Sequence, residues 1–157
     1  MQAEEKIPVN KRNVHKVLAH SYATYFVLFL VGVTLDLVFR FQIFNSSVMV
    51  PTGVSVLIFA TLLIFWAQTT SRNLKKENIT KETFCKGPYC YSRSPTHWGL
   101  FFLMLGFGII VNAIFVVLTT LISFLISRYI FLSKEEAILE EKYGMPYLDY
   151  KRDVRLW

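Results

Sequence analysis

The sequence predicts an all-α integral membrane fold with about four transmembrane helices and amphipathic helices after the last of them. Three observations carry this expectation. Apolar side chains make up 54% of the 157 residues and mean hydropathy is +0.41, above the roughly 45–50% apolar content of soluble domains. The apolar residues fall in runs close to the ~20 residues that cross a hydrocarbon core. The basic residues lie almost entirely on one side of those runs. The formal charge of +6 therefore reports orientation and anionic headgroups before nucleic acid, and no nucleic-acid partner is expected.

The length suits one domain over 1–157, divided as follows. Residues 1–21 form a cytoplasmic N-terminal segment. The first two crossings occupy 22–67, in the runs "YATYFVLFLVGVTLDLVF" (22–39) and "VMVPTGVSVLIFATLLIFWA" (48–67). The first run starts late, is long and has no clear small-residue cleavage site, so it does not read as a cleavable signal. Residues 68–96 are a basic linker and loop. The apolar stretch 97–132 is about twice the length of one crossing and holds Gly106, Gly108 and Asn112 near its middle. A hairpin turning around Asn112 fits it better than one long tilted helix. In the tail, 133–157, Ser133 and Glu136 have the spacing of a capping box, Gly144 can end a helix and Pro146 can start the next. Leu139, Tyr143, Tyr147, Tyr150, Val154 and Trp157 form one apolar stripe at helical spacing. Such a tail rests on the membrane surface or folds over the helix ends.

Charge fixes the expected orientation. The N-terminal segment carries Lys6, Lys11, Arg12 and Lys16. The linker carries Arg72, Lys75, Lys76, Lys81, Lys86 and Arg93. The tail region carries Arg128, Lys134, Lys142, Lys151, Arg152 and Arg155, and Arg40 alone falls in the opposite loop. Both termini and the linker are then cytoplasmic, which requires an even number of crossings. The Asn-x-Ser/Thr motifs at Asn45 and Asn78 are assigned no glycan. Cys85 and Cys90 read as a structural pair. They lack the partners of a metal site, and a disulfide is not expected in a cytosolic linker.

The chemistry-bearing residues cluster around "GPYCYSRSPTHWG" (87–99). Its glycines and prolines set turns, and the helix start behind Pro95 suits a carboxylate. Gly99 lets a ligand or another helix approach the backbone. His97 reads either as an interfacial side chain or as a proton acceptor. Glu135 and Glu136 read either as helix capping or as partners of a cationic ligand. Arg128, seven residues before Glu135, shares its face if the helix is continuous. It either snorkels or binds an acceptor carboxylate or phosphate. Asp36 reads as a local ion pair with Arg40. A zwitterion with a further positive centre would satisfy both the loop and the glutamates.

The loop, the apolar hairpin and "EEAILEEKYGMPYLDYKRDV" (135–154) together resemble the isoprenylcysteine carboxyl methyltransferase and phospholipid methyltransferase family of membrane enzymes. The resemblance covers roughly half the chain, 83–155. It implies S-adenosylmethionine as methyl donor and a lipophilic acceptor arriving from the bilayer, with a carboxylate as one acceptor class. The family's loop pattern is Arg-His-Pro-x-Tyr-x-Gly. Arg93, Pro95 and Gly99 match it, while Ser94 stands at the His position and His97 at the Tyr position. The resemblance implies a cofactor site, for which Tyr91, Arg93, Ser94, Pro95, His97, Gly99, Glu135 and Glu136 are the candidates. From their own chemistry, His97 as proton acceptor and Arg128 as partner of an acceptor carboxylate or phosphate are the catalytic candidates, and no metal is expected. Two other readings are a nicotinamide-dependent reductase on a similar helical frame and a non-enzymatic interaction protein.

The charge pattern generates a topology prediction. In sealed vesicles of known orientation, a thiol reagent should reach Cys85 and Cys90 from the cytoplasmic side. Labelling from the outside alone overturns the map.

Overall fold

The computed structural model describes residues 12–39, 48–72 and 80–154. Arg40, Lys75, Lys76, Trp157 and the Asn45 and Asn78 motifs lie outside the described residues. Every regular element described is helical. Helix α1 is Arg12–Phe39 and α2 is Met49–Arg72. A one-turn α3, Lys81–Phe84, and a 3₁₀ turn, Gly87–Cys90, lead into α4, Pro95–Val111. Helix α5, Ile114–Ile126, continues through a π turn, Ser127–Leu132, into α6, Ser133–Tyr143. Helix α7 is Met145–Asp153.

Three helical stretches are long and apolar enough to cross a membrane: 16–39, 49–72 and 114–143. Helix α4 is a shorter apolar helix of 17 residues. It packs along α2 and against α5, while α1 packs along α5. The outer faces of α1 and α2 leave large apolar side chains uncovered, among them Leu37 and Phe65 at 68% and 69% exposure. Water would not tolerate such a surface; lipid does.

The expected hairpin at Asn112 is present, and its chemistry is local. Asn112 adopts φ 58°, a left-handed conformation that asparagine accepts more readily than most residues. The N–H of Ala113 returns to Gly108 O at 2.8 Å and closes the end of α4. The start of α5 is closed from a distance. Both carboxylate oxygens of Asp36 accept backbone N–H groups, from Phe115 at 3.2 Å and Val116 at 2.9 Å. Asp36 thus caps α5; Arg40, its expected ion-pair partner, lies outside the described residues. A carboxylate in an apolar bundle is tolerable where it satisfies N–H groups that lack helical partners and meets the positive end of a helix dipole.

The tail departs from expectation at its start and agrees at its turn. Ser133 is not an N-cap: the helix runs on from α5, and the Ser133 hydroxyl donates to Tyr129 O at 3.2 Å. Helix 114–143 therefore crosses the boundary drawn at residue 132, and α1 starts well before residue 22. Gly144, with φ 61°, ends α6, and Pro146 lies in the first turn of α7. The apolar stripe folds inward, with Tyr147, Tyr150 and Val154 packed against Phe84, Leu139 and Tyr143.

Helices α2 and α4 meet through small residues. Gly53, Ala60 and Ala67 recur every seven residues and are buried. A Cβ on Gly106 would lie 3.0 Å from Gly53 O, and one on Gly53 would lie 2.9 Å from Gly106 O. Because these obstacles are backbone, they do not swing away. Gly106→Leu should lower the thermal midpoint in detergent, at a cost of about 3 kcal/mol. Val111→Leu, on an exposed apolar position, should leave it nearly unchanged. Equal midpoints for the two variants would contradict the close crossing.

Candidate functional site

At one end of the bundle, the start of α1, the end of α2, the loop before α4, and helices α6 and α7 surround a cavity of about 700 Å³. The local sequence explains how the loop reaches it. Gly87 takes φ 55°, and Pro88 sits in the first turn of the 3₁₀ segment. Cys85 and Cys90 are joined by a disulfide, with Cα atoms 4.4 Å apart. The bridge agrees with a structural pair, corrects the expectation that the pair carries no disulfide, and fixes the loop that holds Tyr89 next to Phe84. Both of those residues line the cavity.

Arg93, Ser94, Pro95, His97 and Glu135, all singled out in the sequence, line this cavity together. The other candidates lie elsewhere. Tyr91 is 72% exposed and is not part of the lining. Gly99 serves helix packing, since a Cβ there would collide with Ile64 of α2. Glu136 faces a second cavity of about 130 Å³, which it shares with Arg93, Arg128 and Ser133. His97 and Arg128 also border a space of about 10 Å³, with Ser94 and Ser127. The start of α4 is less open to an anion than its sequence suggests. Pro95 has no N–H, and the N–H groups of His97 and Trp98 turn to Ser94 O at 3.1 and 3.4 Å.

The adjacent glutamates divide their work. Glu135 is in the larger cavity. Glu136 is buried and lies between two cations: Arg93 Nη1 is 2.8 Å from Oε1, and Lys151 Nζ is 2.9 Å from Oε2. Lys151 also bonds Glu140, and these two carboxylates, Glu140 first, raise its pKa. Arg93 and Glu136 are in charge contact without hydrogen-bond alignment, and Arg93 Nε has no hydrogen-bond partner among the described residues.

The π turn separates Glu135 from Arg128. A π turn carries one more residue per hydrogen-bonded loop than an α turn, so the seven-residue spacing no longer returns to one face. Arg128 points to the smaller cavities, with its guanidinium carbon 5.9 Å from the Tyr129 ring centroid.

Aromatic rings close the larger cavity. Phe84 lies edge-on to Tyr143 and Tyr147, with centroids at 5.1 and 5.5 Å. The Tyr150 hydroxyl donates to Tyr89 O at 2.7 Å, tying α7 to the disulfide loop. Burial raises the pKa of Tyr147, reinforced by Glu136, and that of Tyr150, reinforced by Tyr89. Both phenols stay neutral. The tail stripe hinted at this cover. Tyr22, Thr96 and Tyr89, which also line the cavity, gave no such signal: Tyr22 is one aromatic in an apolar run.

The profile of the phospholipid methyltransferase family matches residues 46–145, which is more than half of the chain. The chain belongs to the phospholipid methyltransferase family. The matched stretch contains α2, the disulfide loop, the α4–α5 hairpin and both glutamates. No curated protein and no solved structure matched the chain. Membership makes this a membrane protein of a methyltransferase family whose substrates are lipid-like.

The disulfide generates a prediction for this methyltransferase. Closing so short a loop stabilises by about 2 kcal/mol in the chain-entropy view. A dithiol, or the double change Cys85→Ser and Cys90→Ser, should lower the thermal midpoint and speed proteolysis between α2 and α4. Unchanged values would show that the aromatic packing alone holds the loop. Thiol labelling for topology also requires prior reduction.

Proposed function

We propose that the larger cavity binds S-adenosylmethionine and that the protein transfers its methyl group to a membrane-partitioned acceptor. One observation carries the reading. The cavity joins a carboxylate, Glu135, and a guanidinium, Arg93, whose Nε has no hydrogen-bond partner among the described residues, under an aromatic wall. A zwitterionic amino acid attached to a nucleoside fits this donor set. Arg93 offers its N–H to the carboxylate end, with Ser94 and Thr96 beside it. Glu135 offers an acceptor to ammonium or ribose hydroxyls. Phe84, Tyr143, Tyr147 and Tyr150 give flat apolar surface for the base.

When bound, the cofactor supplies a methyl already activated on a sulfonium, so the protein's part is alignment, electrostatics and exclusion of water. Glu136 holds Arg93 in place. Arg128, across the smaller cavities, offers a cation to a carboxylate or phosphate on the acceptor. A carboxylate acceptor needs no base, whereas a proton-bearing acceptor does, and His97 is in position for it. The basic distribution supports cytoplasmic termini and four crossings, α4 being the short one.

Because Glu135 and Glu136 have different surroundings, their variants should part. Glu135→Gln should weaken binding of S-adenosylhomocysteine by about tenfold, the effect of losing a charge-assisted hydrogen bond, with little change in melting. Glu136→Gln should chiefly lower stability, by about 3 kcal/mol, because it leaves Arg93 buried with its charge unmatched. Calorimetry in detergent, with NADPH as comparison, checks both. Unchanged affinity in Glu135→Gln and in the double variant, or tighter binding of NADPH, would overturn the assignment.

A further inference from the structure

His97 is held by a residue outside the matched family region. Ser21, on α1, is 1% exposed, and its Oγ lies 3.0 Å from His97 Nε2 and 3.0 Å from Ser127 Oγ. Ser127 is likewise buried, at 3%, and begins the π turn. Three elements distant in sequence therefore meet in a hydroxyl–hydroxyl–imidazole chain inside the bundle. Buried hydroxyls on α5 elsewhere donate to their own helix: Thr120 to Val116 O at 2.7 Å and Ser123 to Thr119 O at 2.7 Å. Ser127 instead meets α1. No hydrogen bond among the described residues engages His97 Nδ1.

We propose that Ser21 and Ser127 are positioning residues that hold His97 with its proton on Nε2, leaving Nδ1 as a hydrogen-bond acceptor for the methyl acceptor. This rests on the methyltransferase reading above. In this arrangement Nε2–H donates to Ser21 and Ser21 donates to Ser127. The ring nitrogens of histidine are set by such partners. Electrostatics selects the order of protons. Arg128 is the formally charged group lining the small space beside His97, and in the proposed arrangement the ring turns a lone pair and not a further N–H to its surroundings, which a nearby cation favours. The other titratable groups around the ring are Tyr22 and Tyr25 of α1, with centroids at 6.2 Å, and, lining the larger cavity, Arg72 of α2, Tyr89 and Arg93 of the loop, and Glu135, Tyr143, Tyr147 and Tyr150 of α6 and α7. When the acceptor heteroatom still carries a proton, that proton passes to Nδ1 and its bonding pair stays on the heteroatom as the nucleophile. The imidazolium later returns the proton to water in the larger cavity.

The test needs neither cofactor nor acceptor for its first arm. The full chain, labelled with ¹⁵N-histidine in detergent micelles, is read by imidazole nitrogen shifts across pH. His97→Gln identifies the His97 signals among those of the three histidines. The wild type should show Nε2 protonated and Nδ1 bare in the neutral form. Ser21→Ala and Ser127→Ala should give mixed tautomers and a shifted midpoint, and Ser21→Thr should restore the wild-type signature. In the second arm, single-turnover methyl transfer to a total lipid extract should slow about tenfold or more in Ser21→Ala, with unchanged affinity for S-adenosylhomocysteine. A wild type protonated on Nδ1, a tautomer unmoved by Ser21→Ala, or an unchanged transfer rate overturns the proposal. A wild type that transfers no methyl group fails the methyltransferase reading instead, and the nitrogen shifts still decide whether Ser21 sets the tautomer.

Discussion

Glu136 carries one negative charge and is gripped by a cation at each oxygen. Arg93 comes from the loop before α4, Glu136 from the helix after the hairpin, and Lys151 from the tail. Three segments are thereby drawn together, in register with the Tyr150–Tyr89 hydrogen bond and the packing of Phe84 on the tail tyrosines. The geometry of the site follows from this clasp. Arg93 becomes the wall between the larger cavity and the smaller one, and α7 is drawn over the opening. Side chains of Arg93 and Glu136 that are only 12% exposed have given up most of their hydration. Their attraction therefore acts with little screening, while the half-open Lys151 contributes less. The clasp specifies an arrangement more than it adds stability.

The apolar hairpin, its turn at Asn112 and the break at Gly144 and Pro146 were legible because they rest on local rules: hydrophobic length, left-handed tolerance and the missing proline N–H. The loop residues Arg93, Ser94, Pro95 and His97 were legible as a group because turn chemistry and polarity at a membrane entry are dense there. What stayed hidden depends on contacts between distant parts of the chain. Asp36 could be read as the partner of a neighbour one turn on, but not as the cap of a helix 79 residues away. Gly99 carried two open roles, and only the position of Ile64 chooses between them. Glu135 and Glu136 looked like one motif because adjacency in sequence says nothing about which side of the helix meets a cation. The disulfide was set aside on an argument about compartment, which geometry does not consult.

Polar side chains follow two patterns in the bundle. On α5, Thr119, Thr120 and Ser123 turn their hydroxyls back to their own carbonyls, so they bring small size to the α1 interface without an unmet donor. Ser21, His97 and Ser127 bond between helices. The first pattern lets helices approach, as Thr119 does against Gly32. Among the described residues, hydroxyl and imidazole groups follow the second pattern at the end where the cavities lie, while at the opposite end the Asp36 carboxylate bonds from α1 to the start of α5. The difference marks a boundary within the bundle between a part that packs and a part that binds.

The π turn at Ser127–Leu132 gives this boundary a numerical character. An α-helix advances about 100° per residue, and the π turn takes up one extra residue over nearly the same rotation. One residue removed from 127–132, with the turn relaxed to α, would therefore leave the phase of the glutamates nearly unchanged, whereas one removed at 133 or 134, with the π turn kept, would rotate everything after it by about that angle. Glu135 would leave the cavity and Glu136 would swing away from Arg93, although no functional side chain had been altered. The spacing between the membrane hairpin and the glutamates is therefore itself part of the site. A substitution scan would miss it, because the information resides in a count of residues and not in their identity.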